Sequence, residues 1–442
     1  MEGSSDKMKN EASLIILGLL ALTGFVESEY LIPINVSNTP EVSWNPAIAI
    51  NRLNGHLFIV WNDASNGEDE IFFSKSTDNG VTWSTPVDIS FTEGASYSPD
   101  IAVDSSGNMH VVWYDNSSGN WEILYTRSDD EGSIWTIPKN ISNNTGASKK
   151  PSIIADKLNH LHIVWQDETT GNSEIFYTQS LDGGVTWSTK KDISNNGGAS
   201  RNAVIASDNL NNLHVAWDDD SLGNSEILYS KSINNGASWT TAKDISNNGQ
   251  YSYKPSIAVD SNNNIYLSWM DNTPGNWEIL VTRSSDNGAN WTTVKDVSNT
   301  PGDSLNPFIS IDSTNTIHLL WQDNYQTSGY NDLFYSKTAN ALNWTVPVNL
   351  LNNSGDSLAL DVITDTSDNL HITFDDNTPG NWEIFYAKYT GELGSECTLI
   401  GDYPPCGQVT VTEILNLIVQ WSHNQATVPE VLALITAWAQ GG

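Results

Sequence analysis

Residues 255–298 read PSIAVD SNNN IYLSWMD NTPGN WEILVTR SSDNGAN WTTVKDVS. Four runs dense in β-branched and aromatic residues alternate with clusters of Asn, Gly, Asp and Pro, the composition of strands joined by tight turns. The unit recurs. A tryptophan in a W-x-D setting stands at Trp61, Trp113, Trp165, Trp217, Trp269 and Trp321, each 52 residues after the last, and Phe374 takes the place 53 residues on. A four-stranded unit, its strands named A to D in chain order, cannot bury both faces alone. Seven such units stacked in a circle form a β-propeller. The seventh stops after its third strand, EIFYAKY (383–389), and LIPINVSNTP (31–40) matches TVKDVSNTP (293–301) in phase and ending. The N-terminal strand is therefore expected to complete the last blade, which removes two open sheet edges.

Ahead of the array, Ala12 to Val26 form an apolar run of signal-peptide length behind Lys7 and Lys9, with a cleavage context at Val26-Glu27-Ser28. Residues 1–28 read as a signal peptide and the chain as secreted or cell-surface. No later run is long enough to span a bilayer. Seven N-x-S/T triplets, at Asn35, Asn116, Asn140, Asn143, Asn290, Asn343 and Asn352, are compatible with a glycoprotein, though an Asn- and Ser-rich chain generates them by chance. The formal charge of -34 repels nucleic acid and anionic lipid, which excludes both as partners.

The turn after strand C carries S-x-D-x-G-x-x-W, seen as STDNGVTW (76–83), SDDEGSIW (128–135), SLDGGVTW (180–187) and SSDNGANW (284–291). SINNGASW (232–239) replaces the Asp, and TANALNW (338–344) is degenerate. Over residues 29–391 the chain resembles the sialidase-like Asp-box, or BNR-repeat, propellers. The resemblance implies a seven-bladed ring. For an active sialidase it also implies three arginines on a substrate carboxylate, the first in Arg-Ile-Pro, with a Tyr nucleophile assisted by Glu and an Asp acid/base. The chain has four arginines, Arg52, Arg127, Arg201 and Arg283, and only Arg201, followed by Asn-Ala, falls near the place of the first. That triad cannot be assembled.

Sevenfold repetition separates architecture from site. The Asp of W-x-D (Asp63 to Asp376) and the acid opening strand C (Glu70 to Glu383) recur in all units, so both are expected to cap their own B–C hairpins. Histidines three residues before the W-x-D position (His110, His162, His214, His318, His371) sit on five different blades, too far apart to share one ion. No metal and no cofactor is expected.

The lead-in to strand A breaks the symmetry. Around the ring it reads Trp44-Asn45, Tyr97-Ser98, Lys149-Lys150, Arg201-Asn202, Tyr253-Lys254, Leu305-Asn306 and Leu358-Ala359. It opens on the same face as the B–C hairpins, where Trp121, Trp277 and Trp382 stand, and opposite the Asp boxes. The ligand-binding set is therefore Trp44, Asn45, Tyr97, Lys150, Arg201, Asn202, Tyr253, Lys254, Asn306, Trp121, Trp277 and Trp382, suited to glycans bearing carboxylates or sulfates. The expected function is an exported binding or scaffold protein. The alternative is a sialidase-like glycoside hydrolase using Asp100 and Asp361, non-repeated acids early in strand A, as its acid pair.

After residue 391 a second pattern begins. VTVTEILNLIVQW (409–421) and ATVPEVLALITAW (426–438) superpose at an offset of 17, each opening with a capping box, Thr410 to Glu413 and Thr427 to Glu430. Residues 392–442 thus read as a small C-terminal α-helical hairpin module, with Cys397 and Cys406 as a disulfide. The duplicated turn-helix layout resembles dockerin modules, although GDYPPCG (401–407) lacks their calcium-binding ladder. A cell-surface protein is the partner expected for these helices.

Overall fold

The computed structural model describes residues 30–325, 329–351 and 353–390. These form seven four-stranded antiparallel sheets. Blade one consists of Ser43–Asn51 (A), His56–Asp63 (B), Glu70–Ser76 (C) and Val87–Asp88 (D). Later blades repeat this order, and blade seven takes A to C from Ser357–Thr364, Leu370–Asp376 and Glu383–Tyr389. Its fourth strand is Ile34–Asn35, paired Ile34 to Tyr386 and Asn35 to Phe385. The expected closure is present.

Strand B of blade one is buried along its apolar run because neighbouring blades cover both faces. Leu57, Phe58, Ile59, Val60 and Trp61 are all 0% exposed. The odd and even residues pack in different layers: Phe58 and Val60 meet Val111 and Trp113 of blade two, whereas Leu57, Ile59 and Trp61 meet Ile384 and Tyr386 of blade seven. Each W-x-D tryptophan is fully buried between blades.

Strand D is shorter than its sequence run suggests. Only Val87 and Asp88 ladder with strand C in blade one. On either side serine hydroxyls accept the strand C amides instead, Lys75 N donating to Ser84 Oγ at 3.1 Å and Ile71 N to Ser90 Oγ at 2.9 Å.

The Asp boxes act as turn clamps. In the first, Asp78 Oδ1 accepts Ser76 Oγ and Thr82 N, both at 2.8 Å, and Gly80 N donates to Ser76 Oγ at 2.9 Å. Trp83 then packs edge-on against Tyr386 of the preceding blade, centroids 5.0 Å apart.

The described residues contain no helix, so the fold class is corrected to an all-β propeller. The expected hairpin module of residues 392–442, the Cys397–Cys406 disulfide, the signal peptide and the Asn352 triplet lie outside the described residues.

Candidate functional site

Strand A enters every blade through a β-bulge, in blade seven between Leu358 and Asp361. Trp44 pairs with Asn62 and Ala47 with Val60, three steps on strand A against two on strand B. The same slip falls at Tyr97/Asp100, Lys149/Ser152, Arg201/Val204, Tyr253/Ser256 and Leu305/Phe308. The second lead-in residue carries the bend: Asn45, Ser98, Lys150, Asn202, Lys254 and Asn306 have φ between 45° and 53°. Asn tolerates this left-handed conformation, whereas a long side chain is unusual there. A bulge re-aims side chains. All six line one axial cavity of about 660 Å³, with the prolines that follow most of them.

Cations gather on one side of this cavity. Lys150 Nζ donates to Asn202 Oδ1 at 2.7 Å, and Asn202 Nδ2 donates to Asp218 Oδ1 at 2.7 Å. Asp218 also accepts the Lys254 amide at 3.2 Å, and Arg201 Nη1 lies 3.4 Å from Asp220 Oδ2. Desolvation, then the neighbouring Lys254, pushes the Lys150 ammonium below its ordinary value, with Arg201 adding to it and Asp218 opposing. Lys254 is lowered by desolvation against the pull of Asp218. Both ammonium groups keep solvent contact while protein walls them on the remaining sides.

Four carboxyls stand under or beside the cavity. Asp100 accepts Ile153 N at 2.8 Å from blade three, and Asp361 accepts Ile48 N at 2.9 Å from blade one, so each ties its blade to a neighbour. Burial raises Asp100 to about 6 and Asp361 to about 7, with the charge of Asp100 adding to the rise of Asp361. Asp375 rises to about 7 and Asp218 to about 6, again chiefly by desolvation. Sequence reasoning missed Asp218 and Asp375. Both occupy the middle of W-x-D, where the ring reads Asn62, Tyr114, Gln166, Asp218, Met270, Gln322 and Asp375. Variation between two invariant flanks was the available signal.

The expected aromatic residues divide. Trp44 lines the cavity and stacks on Trp382, centroids 5.5 Å apart. Tyr97 packs against Trp121 at 5.8 Å and Tyr253 against Trp277 at 5.8 Å, and neither tyrosine borders the cavity itself. They form half-buried rim clusters, with Lys149 Nζ over the Trp121 ring at 5.8 Å.

The repeated groups are placed locally. Asp63 caps its own hairpin through Ser65 N at 2.9 Å, as expected. Glu70 reaches across to Ser90, just past strand D, whereas Glu174, Glu226, Glu278 and Glu383 also accept the side-chain amide of Asn172, Asn224, Asn276 and Asn381 in their own B–C hairpins, so the strand C acid joins its hairpin to the outer strand. His110 Nδ1 lies 2.9 Å from Tyr125 Oη and its Nε2 3.5 Å from Asp104, all within one blade, and His162, His214, His318 and His371 repeat this. Arg127 donates to Gly183 O at 2.8 Å and Arg283 lies over Tyr266, both away from the cavity.

The ring and its boxes define a seven-bladed BNR-repeat propeller. Family models match as the BNR repeat-like domain over residues 32–267 and as a BNR repeat-containing family member over residues 201–379. The chain belongs to the BNR repeat-like domain family. Neither match reaches residues 392–442, so the dockerin-like assignment is withdrawn, and with it the protein partner expected through those helices. No curated protein matches the chain. Among solved structures, an ulvan lyase of polysaccharide lyase family PL25, bound to -[GlcA(1-4)Rha3S]-, shares 12% identity over 80% of this chain and 95% of its own, with a TM-score of 0.59. A protein of unknown function from Dyadobacter fermentans shares 14% identity over 82% and 98%, with a TM-score of 0.49. A Hadza microbial sialidase shares 14% identity over 78% and 65%, with a TM-score of 0.48. The lyase likeness shows the fold. Among the described residues no helix is long and apolar enough to cross a membrane.

Proposed function

We propose that this chain is an exported carbohydrate-active propeller whose axial cavity takes an acidic glycan. The observation that carries this reading is the convergence of Lys150 and Lys254 on one cavity, with Arg201 outside its lining but within electrostatic reach of Lys150, in a chain of formal charge -34. Like charges gain by dispersing, and an anion offsets the desolvation and the repulsion from Lys254 that together lower Lys150. Trp44 offers a flat face to a sugar ring in the cavity, and the Tyr97 and Tyr253 clusters lie outside its lining, at the rim. The ulvan lyase of the same fold holds a saccharide containing GlcA, which agrees with an acidic ligand.

Turnover of that glycan is the second reading, favoured over a pure scaffold role because the structural neighbours that carry functional names are carbohydrate-active enzymes. Asp361, at about 7, would hold a proton to donate, and Asp100, at about 6, would accept one. A glycan array run beside a glycosidase and lyase panel tests both readings. Retention of carboxylated or sulfated glycans over neutral ones is expected, with any turnover abolished in Asp361→Asn. An array that retains no acidic glycan overturns the proposal.

A further inference from the structure

Blade three departs from the other six at a place remote from the axial cavity, in the A–B turn on the Asp-box face. Asp156, His160 and His162 bring one carboxylate oxygen and two imidazole nitrogens within 4.8 Å of one another. His160 Nδ1 lies 3.0 Å and His162 Nε2 3.4 Å from the same atom, Asp156 Oδ2. Bonds of about 2.0–2.2 Å to a tetrahedral ion set ligand atoms about 3.3 Å apart, close to both distances. We propose that Asp156, His160 and His162 bind a divalent transition ion of the zinc type, with its fourth position open to solvent beside His160.

Comparison among blades separates this cluster from the repeated Asp–His pairs. The residue four after the turn acid is Asn108, Asn212, Asn264 and Asn369 in blades two, four, five and seven, each donating its side-chain amide to that acid. Blade six has Thr316, and blade one has His56 but sets it between Asn51 and Phe58. Blade three alone supplies a second imidazole beside the acid and the buried histidine.

A second departure lies on the adjoining strand. The strand C residue opposite the buried histidine position is basic in six blades: Lys75, Arg127, Lys231, Arg283, Lys337 and Lys388. In blade three it is Gln179, opposite His162. The one blade with the extra imidazole is the one blade that removes a fixed positive charge from beside it, the change that a bound cation requires.

The surrounding hydrogen bonds orient the ligand atoms. Tyr177 Oη donates its proton to Gln179 Oε1 at 3.2 Å, so its oxygen is left to accept His162 Nδ1–H at 2.8 Å. That tautomer leaves the lone pair on Nε2, facing Asp156, as an outer-shell partner of a metal-bound histidine does. Asp156 Oδ1 accepts the amides of Leu158 and His160, both at 2.8 Å, which turns Oδ2 toward the imidazoles. Lys157 is drawn aside to Asn209 of blade four. The His160 side chain is 21% exposed, which gives an ion a way in from solvent.

The test uses the full-length, tag-free protein stripped with chelator, titrated with Zn²⁺ by calorimetry and with Co²⁺ by visible absorption. One equivalent with a tetrahedral Co²⁺ spectrum is expected. His160→Asn installs the residue that four other blades carry and should fold normally while losing that equivalent. Gln179→Lys should weaken binding by about tenfold to a hundredfold, as loss of an outer-shell partner does. No saturable uptake, or an equivalent that His160→Asn retains, overturns the proposal.

Discussion

Asp361 holds the seam between blades seven and one by accepting the Ile48 amide, and burial moves its carboxyl from 3.8 up to about 7. A group raised on folding binds its proton more tightly in the folded state. Its contribution is complete below the unfolded value and is lost as pH rises through the folded one. Asp361→Asn keeps an oxygen for the amide and cannot ionise. Thermal melts should therefore show the wild type losing melting temperature relative to Asp361→Asn as pH rises from about 4 to about 8. Parallel profiles would mean that Asp361 does not titrate in this window. A second residue tests the Asp box. A Cβ on Gly80 would come within 2.1 Å of Tyr386 Oη, on a backbone with φ of +88°. Gly80→Ala should destabilise by about 1–3 kcal/mol, as overpacking does, with the loss read from denaturant unfolding. An unchanged midpoint would remove the box from the seam.

At the scale of the element, the N-terminal strand is held by the bonds that strand D uses in blades one to five. Ser37 Oγ donates to Glu383 and accepts Ile384 N at 2.8 Å, as Ser90 does with Glu70 and Ile71. Removing a hydroxyl that satisfies a buried acid and an amide costs about 1–3 kcal/mol. Ser37→Ala and Ser90→Ala should lower stability by similar amounts in denaturant melts. A silent Ser37→Ala would show that the first strand does not close the ring. The strand order, the closure and the face of the lead-in were legible in the sequence because the 52-residue period states them seven times. The bulge was not. Its cue, a Pro after the second lead-in residue in Trp44-Asn45-Pro46, Tyr97-Ser98-Pro99 and Tyr253-Lys254-Pro255, reads equally as ordinary strand entry. Without the bulge, Lys150 and Lys254 could not be separated from Tyr97 and Tyr253 as cavity-facing residues. Strand D was overestimated because hydroxyls replace its ladder, a substitution that composition does not reveal.

At the scale of the molecule, the ring places scaffold groups in every blade and leaves chemistry to the positions that vary. Asp218 and Asp375 illustrate what that rule misses when a variable position hides between constant ones. The pairing of His160 with Gln179 was hidden differently, since the two residues stand on separate strands and only the fold brings their exceptions together. The axial cavity joins residues from all seven blades, so its ligand is a property of the closed ring and not of any one repeat. The central claim is that this cavity binds an acidic glycan through its cations. Calorimetric titration of a sulfated, uronate-containing oligosaccharide, at low and high salt, tests it most directly. The account predicts affinity that falls with salt, and falls by about tenfold or more in Arg201→Ala combined with Lys254→Ala, as loss of charge-assisted hydrogen bonds does. Arg127→Ala, on the Asp-box face, should leave affinity unchanged. Equal losses in the two variants, or binding that survives the double substitution, would contradict it.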